Sequence, residues 1–185
     1  MMVFRAGRGP AVVPAVFLDG SAVREVRQFK YLGHILTDDL SDDLDMERER
    51  RATSVRSNML ARRFGGCSDA VRITLFKAFC QCLYTCQLWV KHKRTSHSLM
   101  RVQYNDSFRI LMRLPRYCSA SGMFADARVP DYFAVVRARI ASFWKRLRCS
   151  KNTVLRAVCE DMSNPIYRYW LSAHRDPNRK WDRFG

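Results

Sequence analysis

Residues 28–45 read QFKYLGHILTDDLSDDLD, and the fold turns on the change of character inside this stretch. As far as Leu36 it is β-type, rich in aromatic and branched side chains. In an extended run, Phe29, Tyr31 and Ile35 share one face, and Lys30, Leu32 and Leu36 the other. Gly33 permits a turn or a close backbone approach. Beyond Leu36 the chain becomes acidic and then helical. Leu44, Ala52, Val55, Met59 and Leu60 recur at helical spacing over residues 42–64. Asp38, Ser41 or Asp42 can cap that helix. Acids at its start gain roughly 0.3–1 kcal/mol each from the free N–H groups and the macrodipole. Paired aspartates also serve two-metal chemistry, which needs carboxylates fixed a few ångström apart on rigid elements. Here the pairs Asp38-Asp39 and Asp42-Asp43 flank a helix start, with no aromatic-x-Asp-Asp hairpin around them. The expectation is a loose, solvated acidic cap.

Working outward, the residues before this stretch also read as β. Met2–Phe4 has strand character, and residues 5–10 form a Gly- and Pro-bearing loop. Asp19-Gly20 lies between two β-type runs, which is a hairpin signal because the turn needs positive φ. Everything after residue 42 reads as helix. Gly65-Gly66 closes the first, and Ser68 caps a second with the stripe Val71, Leu75, Phe79, Leu83 and Val90. A third runs from Thr95 or Ser96 through Leu99, Phe108 and Leu111 to Pro115. A short one spans Met123–Arg128. Pro130 starts a helix with the stripe Phe133, Val136, Ile140, Phe143 and Leu147. Thr153–Met162 and a segment from Pro165 carrying Tyr167 and Trp170 complete the set. The fold class is mainly α: a small N-terminal β hairpin unit, then a bundle of about five to seven helices. The divisions are 1–36 (β unit), 37–115 and 116–175 (two helical regions) and 176–185, a frayed tail anchored by Trp181. An isolated hairpin is marginal in water, so the helices are expected to be better ordered than residues 1–36.

Charge narrows the function. The chain has 185 residues, 48% of them hydrophobic, which is enough for a core. Thirty-three Lys and Arg stand against 17 Asp and Glu, a formal charge of +16. The acids concentrate in residues 38–49, leaving the rest still more basic. Such a surplus draws a polyanion, most often nucleic acid. Arg dominates it, and Arg suits bidentate phosphate contacts. Arg48, Arg51, Arg62 and Arg63 on the first long helix, with Arg137, Lys145 and Arg146 on the Pro130 helix, are the candidate backbone contacts. No apolar run is long enough to span a bilayer, and Pro10 and Pro14 interrupt any leader-like stretch. The odd number of cysteines fits reduced thiols in a nuclear or cytoplasmic compartment. Cys80-x-Cys82-x3-Cys86 lacks a second ligand pair and reads as small buried hydrophobes rather than a zinc site.

FKYLGHIL, within VREVRQFKYLGHILTDD and before an acid- and Arg-rich helix, resembles reverse transcriptases of non-LTR retrotransposons. MMVFRAG resembles the strand after their active-site hairpin. LYTCQLWV resembles their Leu-Tyr-x3-Trp segment, and YNDSFRILMRLPR with YCSASGMFADARVPD resembles their later helices. The resemblance implies that Phe29, Lys30, Tyr31, Leu32 and Gly33 form a primer-grip turn and that the basic helices act as a thumb. The implied partner is an RNA/DNA template–primer duplex, held by its backbone without base readout. The family's catalytic aspartates have no match here. They belong to a missing upstream polymerase domain, Mg2+ is expected only in an intact enzyme, and no cofactor is expected in this chain. Two rival readings differ in class. One is a repurposed or relic helical module binding RNA or protein. The other is a helix-turn-helix DNA reader, for which only the charge speaks.

Overall fold

The computed structural model describes residues 1–4 and 12–175. The loop expected over 5–10 and the expected frayed tail with Trp181 lie outside them. Two hairpins lead the chain: β1 (Phe17–Leu18) with β2 (Ser21–Ala22), and β3 (Gln28–Tyr31) with β4 (His34–Thr37). Seven α-helices follow among the described residues: α1 (Asp43–Phe64), α2 (Asp69–Phe79), α3 (Arg94–Met112), α4 (Ala120–Asp126), α5 (Tyr132–Arg148), α6 (Thr153–Glu160) and α7 (Pro165–Arg175). The mainly-α reading therefore holds. Met1–Phe4 forms no strand, although the Val26 N–H donates to the Met1 carbonyl at 2.8 Å.

Both hairpins close through two residues at positive φ, Asp19 (49°) with Gly20 (74°), and Leu32 (46°) with Gly33 (82°). This pair of left-handed residues matches the right-handed twist of the flanking strands. Residues 28–36 are consequently not one extended run. Tyr31 faces His34, and Lys30 faces Ile35 across the turn. Ile35 thus shares a face with Lys30, not with Phe29 and Tyr31, because the reversal at Leu32-Gly33 changes which side each later residue takes.

α1 departs from its apolar pattern. Its buried side is Asp45, Met46, Glu49, Thr53, Ser57 and Leu60, while Leu44, Val55 and Met59 are exposed. The helix is rotated so that a mostly polar stripe faces inward, and only Leu60 of the expected stripe is buried there. α2 stops at Phe79 rather than continuing to Val90. Residues 80–93 form turns and a short 3-10 turn, Cys86–Leu88, with Leu83 at φ 35° and Thr85 at φ 69°. A branched residue such as Thr in the left-handed region persists only where its surroundings hold it there.

The core is aromatic. Phe76 meets Tyr104 at 5.3 Å and Phe108 at 4.9 Å between ring centroids, both edge-on. Phe124 packs on Phe108 at 5.0 Å. The Tyr104 hydroxyl donates to the Pro130 carbonyl at 2.8 Å and accepts from Gln81 Nε2 at 3.0 Å. Each such fully buried side chain contributes about 1.5–3 kcal/mol of transfer free energy. One continuous buried cluster runs from Met46 through Tyr132 and Val136 to Ala173, so regions 37–115 and 116–175 share a core.

Candidate nucleic-acid interface

The acidic stretch is not a loose cap. Asp45 is fully buried, and Asp42 and Glu49 are nearly so. Asp45 Oδ1 accepts from the Ile35 N–H at 3.1 Å and from Arg48 Nε at 2.7 Å. Its Oδ2 accepts from Thr85 Oγ1 at 2.7 Å and from Trp89 Nε1 at 2.8 Å, with His34 Nδ1 3.0 Å away. Asp42 and Lys91 exchange bonds: the Lys91 N–H donates to Asp42 Oδ2 at 2.8 Å, and the Asp42 N–H to the Lys91 carbonyl at 2.7 Å. The Lys93 N–H donates to Asp43 Oδ1 at 2.9 Å. The start of α1 is therefore a clamp that joins β4 to residues 85–93. The solvated-cap expectation fails because these carboxylates find donors on segments far away in sequence, which outweigh the loss of water. Burial alone would raise the Asp45 carboxyl, but donors from His34, Arg48, Thr85 and Trp89 hold it well below the usual carboxylate range. At Asp42 burial prevails and pushes the group up to about 6, against the Lys91 N–H and the nearby His34.

This clamp fixes the β3–β4 hairpin. Its tip is pinned separately: the Tyr84 hydroxyl donates to the Leu32 carbonyl at 2.7 Å. A Cβ on Gly33 would lie 3.1 Å from the Tyr84 ring, so glycine is needed both for its φ and for this approach. Phe29, Lys30, Tyr31 and Leu32 are all exposed, and the four residues of β3 are exposed on both faces. The hairpin thus presents two aromatic rings and one cation from a fixed support.

The candidate arginines of α1 divide. Arg48 is used within the fold: besides Asp45, it donates to Glu49 at 3.1 Å and lies over the Tyr84 ring at 5.9 Å. Arg51 is exposed and pairs with Glu47 at 2.7 Å. Arg62 and Arg63 are exposed in the last turn, and no salt bridge among the described residues engages them. Arg51, Val55, Met59 and Arg62 recur at helical spacing on the outer side of α1. On α5, Lys145 and Arg146 are exposed and Arg137 is half-buried. α1 packs along α3 and α2, whereas α5 packs on the 3-10 turn, α6 and α7, with α3 touching both. Those two basic sets accordingly form separate faces.

Cys80 and Cys86 are buried, and burial pushes each thiol up to about 12. All seven cysteines are free, and no cluster among the described residues has the makings of a metal site. No helix among the described residues is long and apolar enough to cross a membrane. Sequence reasoning missed His34, Tyr84, Thr85 and Trp89 as the partners that hold the hairpin. The available signal was the four-residue recurrence of Asp45, Glu49, Thr53 and Ser57, a polar stripe too regular for a solvent face. A scan of protein-family models, a search of curated proteins and a search of solved structures each find no match to this chain.

Proposed function

We propose that this chain is the duplex-gripping part of an RNA-directed DNA polymerase of the non-LTR retrotransposon kind, with the catalytic, Mg2+-binding aspartates supplied by an upstream unit. The observation that carries this reading is the exposed Phe29–Gly33 tip, on a hairpin tied by Asp45 to the N-terminus of an Arg-bearing helix and by Tyr84 to the 80–93 segment. A rigid tip can hold a primer strand in place, whereas a mobile one cannot. α1 has 22 residues, making it roughly 33 Å long at ~1.5 Å per residue. That is about one turn of duplex. Arg51, Arg62 and Arg63 would follow phosphates along it, and Lys145, Arg146 and Arg137 would hold flanking nucleic acid. The free edge of β3, with Phe29 exposed, and that of β1, with Phe17 and Leu18 exposed, would join the sheet of the upstream unit. Free thiols fit a nuclear or cytoplasmic setting.

The test is a titration of the chain with an RNA–DNA duplex from low to moderate salt. The expected result is sequence-tolerant binding that weakens steeply with salt. In the same series Arg62→Glu/Arg63→Glu lowers the affinity at least tenfold. Absence of duplex binding at low salt, or an unchanged affinity in the double variant, refutes the reading. A repurposed RNA-binding module would instead hold single-stranded RNA and ignore the duplex.

A further inference from the structure

A cavity of about 470 Å³ opens between α5, α6 and α7, away from the hairpin and α1. Its size suits a small organic group, since ligand pockets run from roughly 300 to 1,000 Å³. Three of its lining residues are aromatic and lie close together. Trp144 and Tyr167 are 5.3 Å apart between centroids, and Tyr167 and Trp170 are 6.0 Å apart with planes 18° from parallel. Trp144 is buried and forms the floor, while Tyr167 and Trp170 are only half-buried. Trp170 carries His174 stacked at 5.2 Å and leans on the core, and the rest of its surface, with Tyr167, borders the cavity.

The rim is cationic. Arg148 and Arg156 line the cavity, are exposed, and have no salt bridge among the described residues. Glu160 is the one acid among the described lining residues. The surrounding segment, residues 131–175, carries nine Lys and Arg against three acids. Two of those acids are committed: Asp131 accepts from the Ala134 N–H at 2.7 Å, and Asp161 from the Ser163 N–H at 2.8 Å. An aromatic cavity could serve a cation, but two guanidinium groups at its mouth repel one. Flat rings flanked by unpaired arginines suit a ligand that is planar on one side and anionic on the other.

We infer that the cavity between α5, α6 and α7 binds one unpaired nucleotide of a single strand, its base against Tyr167 and Trp170 and its phosphate at Arg148 and Arg156. Stacking accepts any base, so the site is sequence-tolerant. It is independent of duplex gripping by the hairpin and α1, and stands or falls apart from that reading.

The experiment titrates the full chain with a fluorescein-labelled ten-nucleotide oligo(A) and, in parallel, with an RNA–DNA duplex, following anisotropy and tryptophan fluorescence. The expected result is quenching on oligo(A) binding. Arg148→Gln/Arg156→Gln, on exposed positions, weakens oligo(A) at least tenfold and changes duplex affinity less than threefold. Arg62→Gln/Arg63→Gln removes the same charge and does the reverse. Tyr167→Leu keeps an apolar contact but removes the stacking ring, and it also costs about tenfold for oligo(A). Equal weakening by both arginine pairs would show a diffuse charge effect and overturn the site. Unquenched oligo(A) binding would also overturn it, as would tighter binding of poly-glutamate than of oligo(A).

Discussion

At the residue scale the molecule depends on Asp45 and Asp42, two carboxylates with opposite pH behaviour. Asp45 receives donors from β4, α1 and residues 85–89, and a carboxylate is acceptor-only. An asparagine there would set its own N–H2 group against Trp89 Nε1 or Thr85 Oγ1. Asp45→Asn is expected to cost about 3–5 kcal/mol near neutral pH, the usual penalty for breaking a buried ion-pair network. Because the folded group is held low, its contribution is present above the unfolded value of 3.8 and fades as pH falls below it. The deficit of Asp45→Asn should therefore shrink below about pH 4. Asp42 works the other way. Its folded value of about 6 lies above 3.8, so the unfolded chain loses this proton first. Its effect is a loss of stability as pH rises through that window, on the order of 3 kcal/mol, and no further change above it. Asp42→Asn keeps an acceptor for the Lys91 N–H without a charge to desolvate. Relative to the parent, it should gain stability between pH 4 and 6 and hold that gain at pH 7. Urea unfolding of the parent and both variants from pH 3.5 to 7.5 checks these signs, and a flat difference for Asp42→Asn would refute the assignment.

Among the elements, those with local causes were legible. Asp19-Gly20 needs positive φ at adjacent residues, and that need is written in the glycine; the Leu32-Gly33 reversal falls inside what reads as one extended run, and only the resemblance implies a turn there. α5 and α6 begin close to the expected starts at Pro130 and Thr153, with caps the expectation did not include: Asp131 on the Ala134 N–H, and Asn152 on Val154 and Leu155. What escaped was set by distant partners. The inner face of α1 is polar because Thr85 and Trp89, 40 and 44 residues away, bring donors to Asp45. The end of α2 was invisible because neither Gly nor Pro occurs between Gly66 and Pro115. The break comes instead from tertiary contacts: Leu83 is fully buried and Thr85 bonds to Asp45, both at positive φ. Of the candidate site, the hairpin tip and Arg62 and Arg63 were readable as exposed. Arg48 was not readable as internal, since its pairing depends on Asp45 being buried. The hairpin carries the prediction at this scale. Gly33→Ala combines φ 82° with a Cβ 3.1 Å from the Tyr84 ring. It should destabilise by about 1–3 kcal/mol. Tyr84→Phe, which removes only the bond to Leu32, should cost about 1 kcal/mol. Thermal unfolding of the two variants measures both, and the order Tyr84→Phe worse than Gly33→Ala would refute this account of the tip.

For the whole molecule, the clamp changes which part of the chain counts as the body. The β unit of residues 1–36 was expected to be less ordered than the helices as a block, but the two hairpins differ in what holds them. β1–β2 pairs two residues on each strand, all four exposed. These strands bury no side chain among the described residues, so the hairpin should open with little free-energy cost. In β4, His34 and Thr37 are buried, and the Ile35 N–H ends on the carboxylate that also holds Trp89. Opening β4 takes the Ile35 N–H and His34 away from Asp45, leaving a buried carboxylate short of donors in the network that also holds Thr85 and Trp89. That coupling places β4 in the same cooperative unit as α1 and α3. Native-state amide exchange should therefore show the Ile35 N–H protected to nearly the same degree as Tyr104 and Phe108 in α3. Ser21 and Ala22 should exchange orders of magnitude faster. In Asp45→Asn the Ile35 protection should collapse toward that of β2, while the interior of α3 loses only what the global destabilisation removes. If Ile35 exchanges as fast as Ala22 in the parent chain, the hairpin is not anchored. The tip at Phe29–Gly33 would then lose the rigid support on which its role as a grip depends.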